Sequence, residues 1–317
     1  TDWNSDRAWP ANGDSLDQGN SPFCLDEGTV TFGRPGQYVK FGATSDIFIG
    51  SQRRGWDYST DKVTLNMMGG AAWANVMGVG HGMRRGATGD DYAYVEFNMH
   101  DGVFTNAANL YIGYDLTKYD SHIRATMNLF GGEYLVGNYV RLGQTYNKTG
   151  RNEPLATLNV DGGTLRFTHT SQTDRNGNIY VPYAEGIDQL KSSQNRASDA
   201  VLNLKGGAIE NAHLVLVGQN GARGEVHLDG GLLDCENILH DGSMDNTYYY
   251  ASYKVADGTS YVYFNGGVLA PRAKMDSAKD TKKSLARNAT FGGFTEAVVQ
   301  AGGAKISTAN CAAERYT

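Results

Sequence analysis

A chain of 317 residues with 40% hydrophobic content holds enough apolar material for a sizeable core, and its formal net charge of −6 gives no electrostatic reason to bind nucleic acid or an anionic membrane. Three widely separated cysteines, Cys24, Cys235 and Cys311, exclude a dense disulfide framework and show no metal-ligand spacing. No metal and no cofactor is therefore expected, and no stretch reaches the length of a transmembrane helix.

Taken in chain order, residues 1–28 carry little periodicity and are rich in Asp, Asn, Ser and Gly, with Trp3, Trp9 and Phe23 as apolar anchors. They read as an N-terminal cap or lead-in, since the exposed end of a stacked sheet is a sticky edge. From residue 29 to 317 one pattern governs the chain and predicts a single domain. Val30, Phe32, Val39, Phe41, Ile47 and Ile49 are the first core candidates, with Pro35-Gly36 as their turn.

The clearest phrase is VLNLKGGAIENAHLVLVG, from Val201 to Gly218. Alternation of apolar and polar residues predicts a strand with Leu202 and Leu204 inward and Asn203 outward. A glycine pair, a short apolar step at Ile209, a polar bend and a second strand follow. The same phrase recurs around Gly69-Gly70, Asp101-Gly102, Gly131-Gly132, Gly162-Gly163, Gly206-Gly207, Gly230-Gly231, Gly266-Gly267 and Gly302-Gly303. The first members of these pairs are spaced by 32, 30, 31, 44, 24, 36 and 36 residues, a period that signals a stacked repeat. Glycine at a fixed phase suits corners that need positive φ or that stack too closely for a Cβ. The predicted fold is all-β: a right-handed parallel β-helix, or β-solenoid, of roughly eight to nine coils. Cys235, just past a corner, reads as a small core side chain.

Segments of variable length fall mostly at one phase, so the loops emerge mainly from one edge, where solenoids place function. Thr168 to Asp199 reads as the longest of these loops. Arg53, Arg54, Trp56 and Tyr58 lie in one loop, and Tyr248, Tyr249, Tyr250 and Tyr253 in another. Rings of this kind stack on sugars and arginine forks bind carboxylates, which makes these the binding candidates. The alternative reading is a solvated loop edge held by local ion pairs, or a contact with a neighbouring subunit.

Gly80-His81-Gly82 resembles the GHG triplet of pectin-hydrolysing glycosidases. That family places an NTD and an acidic pair upstream of the triplet. Here Asp90-Asp91 lies downstream and Arg84-Arg85 follows at once. If the chain is an enzyme, Asp57, Asp90, Asp91, His81, Arg84 and Arg85 are its candidate catalytic residues, since glycoside cleavage needs facing carboxyls and uronate cleavage needs a base beside a cation.

With units such as LNVDGGTLRF, LNLKGGAIENAHLVLVG, VHLDGGLLDCENILH and VYFNGGVLAP, residues 30–308 resemble the autotransporter-associated β-strand repeats of bacterial secreted passenger domains. The resemblance implies a right-handed parallel β-helix, an extracellular or bacterial cell-surface location, and a role as adhesin or scaffold. The expected function is therefore structural or adhesive, with a polysaccharide lyase or glycoside hydrolase on the same scaffold as the alternative. Expected partners are a further copy of the chain or a longer parent chain, and a carbohydrate or cell-surface ligand. The final repeat starts another coil with no apolar helix to close it, which predicts end-to-end self-assembly into filaments.

Overall fold

The computed structural model describes residues 23–25, 28–40, 46–50, 62–81, 93–115, 123–145, 155–168, 176–183, 199–218, 222–240, 258–271, 291–292 and 294–307. Among these residues there is no helix, and every strand pairing is parallel. Among the described residues no helix is long and apolar enough to cross a membrane.

The chain passes through three strand series in rotation. The first series is a nine-stranded sheet in sequence order. It contains β2 (Thr29–Phe32), β5 (Val63–Met67), β8 (Ala93–Met99), β11 (Ile123–Leu129) and β14 (Leu155–Val160). β17 (Ala200–Leu204), β19 (Arg223–Leu228), β21 (Thr259–Phe264) and β24 (Glu296–Val299) complete it. The second series runs through β3 (Tyr38–Lys40), β6 (Ala71–Ala74), β9 (Val103–Asn106), β12 (Glu133–Val136) and β15 (Thr164–Phe167). It continues into β18 (Ala208–Val217), β20 (Leu232–His240), β22 (Val268–Pro271) and β25 (Lys305–Ile306). The third series comprises β1 (Phe23–Leu25), β4 (Ile47–Ile49), β7 (Met77–His81), β10 (Leu110–Asp115), β13 (Val140–Thr145) and β16 (Ile179–Val181). It ends on the second halves of β18 and β20 and on β23 (Phe291–Gly292). β18 and β20 are long enough to serve both series, so these merge into one 16-stranded sheet. A strand that pairs with the strand one rotation later is the topology of a solenoid, and the fold is solenoid-like.

Register carries the core. Val30, Leu65, Phe97, Met127, Leu158, Leu202, Val226, Val262 and Ala297 are successive partners in the first sheet. All but Ala297 are buried, because a period of two sends every second side chain inward. A neighbouring column is unusually small: Ala125, Ala156, Ala200 and Gly224. The reason lies where the third series bends into the first. A Cβ at Gly80 would sit 2.9 Å from the Ala125 Cβ, and one at Gly113 would sit 3.1 Å from the Ala156 Cβ.

The glycine corners stand between the first and second series. Gly132 has φ of +74° and a Cβ there would meet the Gly102 carbonyl oxygen at 2.5 Å. At Gly207 φ is not positive, yet a Cβ would collide with the Gly163 carbonyl oxygen. The same column therefore needs glycine for two reasons, backbone conformation at one rotation and close stacking at another.

Two boundaries differ from the sequence reading. β1 lies within the expected cap and pairs with β4, so the parallel stacking includes residues before position 29. The supposed single loop from Thr168 to Asp199 contains β16, which pairs with β13 and β18. That strand has only three residues and no glycine pair before it, which hid its period. Cys235 is fully buried on β20, and Cys24 on β1 is partly exposed.

Candidate functional site

The outward faces of the sheets carry the chemistry. On the first sheet, Asn66, Asn98, Asn128, Asn159 and Asn203 occupy one register column. Each primary amide offers both a donor and an acceptor, and parallel strands repeat at about 4.8 Å, so amides in register reach one another along the stack. Asn98 Nδ2 donates to Asn66 Oδ1 at 3.0 Å, Asn128 to Asn98 at 2.7 Å, Asn159 to Asn128 at 2.7 Å and Asn203 to Asn159 at 2.8 Å. Asn66 donates to Thr31 Oγ1 at 3.3 Å and so starts the ladder.

Beyond Asn203 the column changes to His227 and Tyr263. Their rings stack with centroids 4.5 Å apart, and His227 Nε2 lies 3.0 Å from Glu225 Oε2. Arg223 joins this group through Glu225 Oε1 at 2.5 Å and over the Tyr261 ring at 5.0 Å. Burial, then the Glu225 carboxylate, raises the Tyr263 phenol above its ordinary range. The ring faces of this cluster point along the stack at neighbouring strands.

The outward face of the third series holds a tyrosine cage. Arg141 is only 4% exposed although it projects away from the main core. Its guanidinium carbon lies 3.7 Å from the Tyr183 ring centroid and 4.2 Å from that of Tyr139, with Tyr180 at 5.8 Å and Tyr111 at 6.0 Å. Arg141 Nη1 also donates to Gln144 Oε1 at 3.2 Å. A planar, weakly hydrated cation suits such rings better than an ammonium. Tyr111 and Tyr139 share a hydrogen bond of 3.0 Å between hydroxyls, and burial, followed by that bond, raises the Tyr111 phenol. Tyr180, Tyr183, Leu214 and Leu216 form a second apolar cluster on this face. On the second series, exposed Arg166 bridges Glu133 and Glu210.

These arrangements consume their own chemistry: amides bond amides and the cage is filled by the chain's own guanidinium. Among the described residues, no three His, Cys, Asp or Glu side chains come together to hold a metal ion. Of the catalytic candidates, His81 is the last residue of β7, in register with Tyr114. Asp57, Arg84, Arg85, Asp90 and Asp91 lie outside the described residues, as do Arg53, Arg54, Trp56, Tyr58, Tyr248, Tyr249, Tyr250 and Tyr253. The ladder and the cage were not among the sequence-level candidates. Repeated Asn at the third place of TLN, TMN, TLN and VLN was the available signal for the first.

A different feature marks the last rotation. Val299 is 62% exposed and Ile306 is 64% exposed, and Ala297 is exposed as well. Their register partners Phe264, Leu269 and Val262 are buried, so all three stand at core positions.

Compared with protein-family models, curated proteins and solved structures, the chain gives no match.

Proposed function

We propose that the chain is a secreted or bacterial surface-displayed structural rod with an adhesive edge, a right-handed parallel β-helix of roughly eight to nine coils in the manner of autotransporter-associated repeats. The observation that carries this reading is the asparagine ladder, which ties successive rotations together outside the core. Groups spent on one another along the stack stiffen a rod and leave little for a substrate. The variable segments supply the contacts, with Arg53, Arg54, Trp56, Tyr58, Tyr248, Tyr249, Tyr250 and Tyr253 presented to a carbohydrate or cell-surface ligand. The exposed core positions of the last rotation supply end-to-end association.

The second reading is a polysaccharide-active enzyme on the same scaffold. It is favoured by the place of His81, which ends a strand of the third series where the candidate residues Arg84, Arg85, Asp90 and Asp91 follow in sequence.

The test is incubation with a panel of acidic and neutral polysaccharides, following viscosity and retention on the immobilised polymer. Unchanged viscosity with retention supports an adhesive rod. A fall in viscosity that is lost when Asp90 and Asp91 are changed to Asn overturns it in favour of the enzyme.

A further inference from the structure

Tyrosines form a row along the outward face of the third series. Ring centroids are 4.5 Å apart from Tyr114 to Tyr111, 6.0 Å from Tyr111 to Tyr139, 6.4 Å from Tyr139 to Tyr180 and 4.9 Å from Tyr180 to Tyr183. Tyr111 and Tyr139 also bring their hydroxyls to 3.0 Å, with the rings at 77° to one another. Asn109 Nδ2 donates to the Tyr111 hydroxyl at 3.1 Å and helps to hold it there. The two tyrosines stand 28 positions apart on adjacent rotations. Tyr111 is on β10, and the Tyr139 carbonyl just before β13 accepts from the Leu110 N–H at 3.0 Å. Exposure divides the row: Tyr114, Tyr180 and Tyr183 are buried, whereas Tyr111 and Tyr139 each keep part of their surface open.

We propose that Tyr111 and Tyr139 are a site of oxidative modification, at which a one-electron oxidant joins the two rings into a dityrosine that staples adjacent rotations. Two equivalents of the oxidant each accept one electron, and each phenol gives up its hydroxyl proton, which ends on water. The two phenoxyl radicals pair their electrons in a new carbon–carbon bond between ring positions ortho to the oxygens. Each ring then passes the hydrogen on its bonded carbon to its oxygen as aromaticity returns. The net change is one C–C bond formed, two C–H bonds broken, two electrons on the oxidant and two protons in water.

The ortho carbons flank the oxygens, so hydroxyls in hydrogen-bond contact hold the reacting carbons near one another. A pair fixed in this way couples as a single unit, ahead of coupling between separate molecules. The shared hydrogen bond also offers one phenol an acceptor for its proton as the electron leaves. Tyr114 is nearer to Tyr111, but it is buried and so shielded from the oxidant. Once formed, the link restrains the unfolded chain between the two positions, as a disulfide does. The inference goes beyond the rod reading and does not depend on it.

The experiment uses the full chain at low concentration, oxidised by light-generated tris(bipyridyl)ruthenium(III) with persulfate. Dityrosine fluorescence is expected in protein that runs as a monomer. Digestion is expected to give a joined peptide that carries both Tyr111 and Tyr139 and is lighter by two hydrogens than its parts. Tyr111→Phe and Tyr139→Phe should each cut the monomer's fluorescence by about fivefold or more, since the oriented pair is lost. Tyr94→Phe, at an exposed tyrosine, should leave it unchanged. The linked monomer should also unfold at a higher urea midpoint than the unlinked one. Because the peptide is mapped on unsubstituted protein, the outcome does not hang on the folding of the variants. Joined peptides that pair other tyrosines within the monomer overturn the proposal, as do links found only between molecules. Oxidation that yields no dityrosine overturns it as well. The polysaccharide panel decides the rod reading separately, so a Tyr111–Tyr139 peptide from a protein that lowers viscosity refutes the rod while the site stands.

Discussion

Asn159 donates its side-chain amide to Asn128 across 2.7 Å, although the two residues stand 31 positions apart. Asn128 in turn donates to Asn98 at 2.7 Å, so its side chain is both acceptor and donor in the ladder. Removing Asn128 breaks two bonds, whereas removing Asn203 breaks only the bond to Asn159. A net contribution of about 1 kcal/mol per hydrogen bond, reduced by partial exposure, sets the scale. Asn128→Ala is expected to lower stability by about 1–2 kcal/mol and Asn203→Ala by roughly half as much. Urea midpoints compared at fixed protein concentration check the ratio, and equal effects would show that the amides act singly and not as a ladder.

The corner glycines predict a second contrast. At Gly207 an added Cβ collides with the Gly163 carbonyl oxygen, and backbone cannot swing aside. At Gly303, with φ of +79°, an added Cβ meets nothing within 4 Å. Gly207→Ala should cost more than about 3 kcal/mol or abolish folding, because overpacking strikes backbone. Gly303→Ala carries only the left-handed strain of about 1–2 kcal/mol. Thermal melts of the two variants give the comparison.

The pattern around Leu202, Asn203 and Leu204 was legible in the chain because alternation and a following glycine pair are local. Leu202 and Leu204 are buried and Asn203 is half-buried, as alternation requires. What could not be read was any contact that depends on register between rotations. The gap between corner pairs varies from 24 to 44 residues, so Asn159 and Asn203 align only once the strands do. β16 was lost for a related reason, since Ile179, Tyr180 and Val181 are all buried and show no alternation. Tyr111, Arg141 and Tyr180 likewise meet only through register, on strands far apart in the chain, and Arg141 and Tyr180 are buried there.

Arg141 sets a third prediction. Its guanidinium lies between the Tyr139 and Tyr183 rings, at 4.2 Å and 3.7 Å. Lysine at this position keeps the charge but loses the planar contact with two rings and the fixed donor geometry toward Gln144. Arg141→Lys should therefore cost about 1–2 kcal/mol, and Arg141→Ala more, since it also empties the centre of the cage. Loss of the near-ultraviolet tyrosine dichroism in both variants would locate the damage at the cage. An unchanged tyrosine signal with lowered stability would place the effect elsewhere.

Tyr134 gives a pH dependence of definite sign. The residue is fully buried, its hydroxyl donates to Met77 Sδ at 3.2 Å and accepts from Asn106 Nδ2 at 3.4 Å, and burial raises its phenol far above the ordinary value of 10.0. A group whose folded value is raised contributes stability that is fully present below its unfolded value and is lost as pH rises above it. The unfolded chain releases this proton near pH 10, so above that point Tyr134 alone lowers stability by about 1.4 kcal/mol per pH unit. Tyr134→Phe removes the titration, at the expense of two hydrogen bonds near the core. The variant should be slightly less stable than the parent at pH 7, with the gap narrowing and then reversing as pH climbs past 10. Unfolding midpoints measured from pH 7 to pH 11 decide the matter, and parallel curves for the two proteins would mean that Tyr134 ionises without unfolding.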